Sequence, residues 1–161
     1  RLNDPCNLRL DGKALIDGTV WDYAYVELGD PGIPHAVVPV KNLRDFDTAK
    51  LRELGRRLRY YPEFPKGANV NFYEIIGPDH IYERTYERGV EDFTYACGTG
   101  TGSVVTVLTL LGKVSGHQVR VDMTGGQLMV DVEREGNQVT NLYLTGPTNI
   151  VCKGEITDEA L

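Results

Sequence analysis

Cysteine is scarce in this 161-residue chain, and its three, Cys6, Cys97 and Cys152, form no Cys-x-x-Cys pair. An odd count without paired spacing indicates neither a disulfide framework nor a cysteine zinc site, and it fits a reducing cytoplasm. Histidine is as sparse: His35, His80 and His117 are scattered with no i, i+4 pair, so no metal-ligand pattern is present and no metal is expected. There is no Asn-x-Ser/Thr sequon. The opening Arg1-Leu2-Asn3-Asp4-Pro5 carries neither an initiator Met nor an apolar signal segment, and it reads as the interior of a longer gene product. The longest uncharged run, Phe93 to Gly112, is interrupted by Gly98, Gly100, Gly102 and several threonines, which makes it a buried loop and helix rather than a membrane span. Positive charge is in deficit, with 17 Lys and Arg against 23 Asp and Glu. The net charge of -6 argues against nucleic acid or an anionic membrane as partner and favours a small substrate or a protein.

What is present describes one folded domain. The chain is 41% hydrophobic and 25% charged, and its 18 Gly and 8 Pro favour many turns and short strands. Trp21 to Gly29 and Ala36 to Val40 read as strands, separated by Asp30-Pro31-Gly32. Asp47 stands where a helix N-cap belongs, and Leu51, Leu54 and Leu58 recur at helical spacing up to Tyr60. The basic row on that helix, Lys50, Arg52, Arg56, Arg57 and Arg59, reads as a solvated face. Asn69 to Ile76 and Ile81 to Arg88 form a hairpin through Gly77-Pro78-Asp79, and His117 to Asp122, Leu128 to Glu133 and Val139 to Leu144 are three further strands. Ser103 to Leu111 is a helix with no charged side, so it is expected to be buried all round and wrapped by strands of a largely antiparallel sheet.

Chemistry concentrates at Cys97-Gly98-Thr99-Gly100-Thr101-Gly102, immediately before that helix. The first N–H groups of a helix lack intrahelical acceptors and the macrodipole adds positive potential, so an anion such as a carboxylate can sit there. The same field lowers a cysteine pKa, and Cys97 is expected to be more acidic than a free thiol. The plain alternative is a small buried cysteine beside glycines that merely turn the chain. A dinucleotide fingerprint is excluded because the third glycine comes one position early, and a P-loop because Gly112-Lys113 is followed by Val114. Upstream, Glu83-Arg84-Thr85-Tyr86-Glu87-Arg88-Gly89 reads either as a solvated ion-pair row or as a ligand-facing strand end. Glu87 and Arg88 can face one ligand only if Gly89 breaks the strand.

The stretch Tyr86-Glu87-Arg88-Gly89-Val90 leading to Ala96-Cys97-Gly98-Thr99-Gly100 resembles the signature of the diaminopimelate epimerase family. Asn69-Val70-Asn71-Phe72, Pro34-His35 and Leu144-Thr145-Gly146-Pro147 follow in the family's order, so the likeness runs from about Val26 to Ile156. It covers one half of an enzyme built from two similar halves, and the half with the Asn-Gly-x-Arg motif and the other catalytic cysteine is missing. The resemblance implies an α+β fold, a mostly antiparallel β-roll around a central buried helix. It also implies a cytoplasmic, cofactor-independent epimerase of lysine biosynthesis, interconverting LL- and meso-diaminopimelate with one thiolate and one thiol on opposite faces of a small amino acid. Residues 1–161 would then be a single domain, inactive until joined to its N-terminal partner half. The implied catalytic residues are Cys97, His35 and Glu87, and the implied substrate contacts are Asn69, Glu87, Arg88, Gly98 and Thr99, with His35 pairing the glutamate beside the α-amino group. Cys6 lies outside the Asn-Gly-x-Arg context and is not taken as the second cysteine. Two departures from the family pattern are Ile33 before Pro34-His35, where the family has Asn, and Glu91-Asp92-Phe93-Thr94, with one extra residue and Phe93 near the expected acid. Proline racemases resemble the Cys-Gly-Thr-Gly-Thr stretch as well, so another amino-acid racemase is the second enzyme reading. A non-catalytic domain that kept the fold is the third.

Overall fold

A computed structural model describes residues 6–29, 31–155 and 157–160, with the Cys6, Asn7 and Ala160 side chains excepted. Residues 1–5, Asp30, Ile156, Leu161 and the thiol of Cys6 therefore lie outside the described residues. Nine strands and two α-helices follow in the order β1 (Cys6–Ile16), β2 (Thr19–Leu28), β3 (Ile33–Pro39), α1 (Thr48–Arg59), β4 (Asn69–Gly77), β5 (His80–Glu87), β6 (Asp92–Phe93), α2 (Gly98–Leu110), β7 (Val119–Met123), β8 (Gly126–Glu135) and β9 (Gln138–Thr145). All nine join one sheet in the order β1-β2-β3-β4-β5-β7-β8-β9, with β6 paired to β5. The β3–β4 and β5–β7 pairs are parallel, and the other described pairs are antiparallel. Each parallel pair is connected through a helix, because parallel neighbours need a crossover.

The two helices pack on opposite faces of the sheet. Asp47 caps α1 by accepting from the Lys50 N–H at 2.8 Å, and Leu51, Leu54 and Leu58 bury against Ala36, Val38, Val70, Phe72 and Tyr86. Its basic row is ion-paired at the surface, Arg52 to Asp92, Arg56 to Glu53, Arg57 to Asp17 and Arg59 to Glu91. Helix α2 is buried from Gly100 to Thr109 on every side, among Val26, Val37, Tyr73, Ile81, Val121, Val130 and Leu142. The sheet thus curls around α2, the α+β roll that the apolar helix and its flanking strands predict. No helix among the described residues is long and apolar enough to cross a membrane.

The structure corrects the sequence reading at three places. β1 was not foreseen, because the turn-like Asp11-Gly12 interrupts a stretch in which Leu8, Leu10, Ala14 and Ile16 alternate with Arg9 and Lys13; it pairs with β2 across two register shifts. Helix α2 begins at Gly98, not Ser103, since burial overrides the poor helix propensity of three glycines. Phe93 packs edge-on against Tyr86 at 6.0 Å, on the face opposite α2, so it takes no acid's place.

Candidate active site at the start of the buried helix

Strand alternation selects the residues that meet α2. On β3, β4 and β5 the even-numbered Ala36, Val38, Val70, Phe72 and Tyr86 belong to the α1 side, while the odd-numbered Val37, Tyr73 and Ile81 belong to the α2 side. The period of two therefore puts His35, Asn69, Asn71, Glu83, Thr85 and Glu87 on the face toward α2, with Arg88 on the other. These polar residues form a strip at the helix's first turn, where His35 is the register partner of Asn69 and Asn71 that of Thr85.

Cys97 is the N-cap of α2 in extended conformation, with no side-chain cap bond. The Thr101 N–H donates to the Cys97 carbonyl at 2.9 Å, closing the first turn, and the Gly98 and Thr99 N–H groups precede the first residue that can find an intrahelical acceptor. Gly100 must be glycine: a Cβ there would lie 2.3 Å from Asn71 Oδ1 and 3.2 Å from Cys97 Sγ. Thr99 Oγ1 stands 3.7 Å from the sulfur. Cys97 is half-buried, and burial pushes its thiol above the usual range; contacts from the Gly100 N–H and Thr99 work the other way, and the carboxylates Glu87 and Glu83 add to the rise. This reverses the expected acidity, because burial, with the two carboxylates adding to it, outweighs the Gly100 N–H and Thr99 contacts.

Asn71 joins the pieces. Its Nδ2 donates to His35 Nδ1 at 3.2 Å and to the Ala36 carbonyl at 3.1 Å, and its Oδ1 accepts from the Thr85 hydroxyl at 3.0 Å. An accepting Nδ1 leaves the ring proton on Nε2, which is buried without a partner among the described residues. Burial, assisted by the positive field of Arg88, lowers the His35 pKa to about 4. Glu83, 1% exposed, sits deeper: its Oε1 lies 2.9 Å from Thr101 Oγ1 and 3.3 Å from Thr85 Oγ1, and its Oε2 has no partner among the described residues. Glu83 is thus no part of a solvated ion-pair row.

The end of β5 turns at Gly89, whose φ of +90° is left-handed, and the Val90 and Glu91 N–H groups fold back to the Glu87 carbonyl at 3.2 and 2.8 Å. The Arg88 N–H donates to Asn69 Oδ1 at 2.8 Å and its guanidinium to the Lys66 carbonyl at 2.9 Å, so Arg88 clamps the entry to β4. Glu87, Thr99 and Gly100 act on Cys97 directly, Asn71 links His35 to the turn at Gly100, Arg88 bonds to Asn69, and the described partner of His35 Nδ1 is Asn71 rather than Glu87. Asn71, Glu83, Thr85 and Thr101 were not singled out from the sequence; polar residues at 83, 85 and 87, every second position of one strand, were the available signal. Among the described residues no group of three or more His, Cys, Asp or Glu could hold a metal ion.

A family model described as Diaminopimelate epimerase matches residues 29–151. The chain is 43% identical over 138 residues to a diaminopimelate epimerase of Chlorobaculum tepidum, covering 85% of this chain and 51% of that protein. It is 37% identical over 141 residues to one of Leptospira biflexa, covering 88% and 46%. The chain thus spans about half the length of the curated relatives it matches. A solved hydroxyproline epimerase from Agrobacterium vitis is similar in fold, with a TM-score of 0.57 at 20% identity over 84% of this chain and 49% of that one.

Proposed function

The chain belongs to the diaminopimelate epimerase family, and on that premise we propose that it supplies one of the two proton-transfer thiols of an amino-acid epimerase acting on LL- and meso-diaminopimelate. The observation that carries the reading is Cys97 at the N-cap of a buried helix, beside Glu87 and ahead of the Gly98 and Thr99 N–H groups. In this reading residues 1–161 form one domain, and a preceding half with an Asn-Gly-x-Arg motif provides the opposing cysteine. The setting is the cytoplasm and the pathway that of lysine, with no cofactor.

The proposed chemistry follows from charge. The α-carboxylate takes the Gly98 and Thr99 N–H groups, where helix partial charge and free donors meet it. The α-ammonium faces Glu87, and the neutral His35 offers its Nε2–H to that carboxylate or to substrate, with Asn69 and Arg88 bonded to each other at the strand end. A thiol held above its usual range rests protonated, so Cys97 donates to the α-carbon when the opposing thiolate abstracts from the other face, and abstracts in the reverse direction. Pairing the ammonium with Glu87 removes one of the two fields that raise the thiol, which readies it for the second role.

Ile33 favours a second reading. Alternation places it on the face of His35, half-buried, where the family has Asn, and an apolar side chain there suits an amino acid with a less polar distal group. Joining this chain to a half with the Asn-Gly-x-Arg motif tests both. Interconversion of LL- and meso-diaminopimelate, lost in Cys97→Ala, is the expected result. Turnover of a monoamino acid instead selects the second reading, and binding without turnover of either selects a non-catalytic domain.

A further inference from the structure

We propose that Glu83 is a proton-holding positioning residue for Cys97: as a carboxylic acid it frees the Thr101 hydroxyl to hold the Cys97 carbonyl and the Thr85 hydroxyl to hold Asn71, and as a carboxylate it withdraws both. Two hydroxyl hydrogens face three acceptors. Thr101 Oγ1 is 2.9 Å from Glu83 Oε1 and 3.0 Å from the Cys97 carbonyl, and Thr85 Oγ1 is 3.3 Å from Glu83 Oε1 and 3.0 Å from Asn71 Oδ1. Each hydroxyl has one hydrogen to give. An ionised Glu83 draws both to Oε1, which takes the hydroxyl from Asn71 Oδ1 and leaves the Cys97 carbonyl with the Thr101 N–H alone. A protonated Glu83 donates from Oε1 to Thr101 Oγ1, whose own hydrogen then goes to the Cys97 carbonyl while Thr85 serves Asn71. Every hydrogen is then used once, from Glu83 to the N-cap and from Thr85 through Asn71 to His35.

The unpartnered Oε2 argues the same way. A buried carboxylate oxygen with no donor is costly, whereas the carbonyl oxygen of a neutral acid bears that loss more cheaply. Burial pushes the Glu83 pKa up to about 7, against the smaller contrary effect of the two threonines, so both forms are populated near neutral pH. The titratable groups facing Glu83 are Tyr73, its register partner on β4, Glu87 further along its own strand, Cys97 at the head of α2 and, beyond Asn71, His35. β7 contributes Val121 on that side.

The inference rests on Cys97 being the reacting thiol, but its test reads the thiol and the carboxyl rather than turnover, so it fails or stands apart from the epimerase reading. Alkylation of the chain by iodoacetamide is followed from pH 6 to 10 on the Cys97 peptide alone, which removes Cys6 and Cys152 from the signal. Wild type is expected to show an inflection near 7 below that of the thiol. Glu83→Gln keeps the neutral hydrogen-bond pattern at every pH, so it abolishes that inflection and alkylates about threefold faster at pH 8, the effect of losing one nearby like charge. Superimposable profiles would overturn the proposal. Carbon-13 NMR of labelled glutamate in wild type decides independently of whether the variant folds: a Glu83 carboxyl titrating near 7 supports it, and one titrating at the ordinary value of about 4.3 sinks it.

Discussion

Burial favours the neutral form of both His35 and Glu83, one by resisting protonation and the other by resisting ionisation, so each ties stability to pH with its own sign. His35 falls from 6.5 to about 4 on folding, so the unfolded chain binds the extra proton between those values; its stabilising share is complete above pH 6.5 and lost as pH falls toward 4. Glu83 rises from 4.5 to about 7, so the folded chain binds the extra proton; its share is complete below pH 4.5 and lost as pH rises through 7. Between about 4.5 and 6.5 the two slopes cancel. Chemical denaturation of Glu83→Gln against wild type should therefore give a difference that grows in the variant's favour by about 3 kcal/mol from pH 4.5 to 7. His35→Gln should show the mirror image, a relative gain of about 3 kcal/mol from pH 6.5 down to 4. Differences independent of pH would place both residues in solvated environments and contradict their burial.

At the scale of elements, the first turn of α2 and the strand strip beneath it act as one unit, locked by the absence of a side chain at Gly100. Gly100→Ala adds a methyl that meets Asn71 Oδ1 and Cys97 Sγ. It is expected to lower stability by about 1–3 kcal/mol, the range for overpacking, and to alter the Cys97 alkylation rate as Asn71 shifts. Asp47→Ala at the cap of α1 is the control: it removes one N-cap bond on the far face, costs about 1 kcal/mol, and leaves Cys97 reactivity unchanged. If the two substitutions affect the thiol alike, the link from Asn71 to Cys97 is wrong. Both helices, the 69–88 hairpin and the polar lead-in to Cys97 were legible because period, caps and turn residues agree there. What stayed hidden is tertiary: Glu83 looks solvated beside Arg84 until alternation sends the two to opposite faces, and the Asp11-Gly12 of β1 looks like a turn until pairing with β2 takes it up as a register shift.

For the whole molecule, the site is assembled at one end of the roll, where β3, β4, β5 and α2 converge, and the proposed chemistry needs a second thiol on the far side of the substrate. The segment after β9 leaves Ile150 82% and Val151 91% exposed. The most direct measurement follows the α-proton in deuterium oxide, using this chain joined to a half that carries the Asn-Gly-x-Arg motif and the opposing cysteine. Two thiols on two faces require that product from the first turnovers carries solvent deuterium at the inverted carbon while recovered substrate carries none, and that Cys97→Ala or the chain alone gives no inversion. Product retaining the substrate's own α-proton, or inversion by the lone chain that survives Cys97→Ala, would contradict the account.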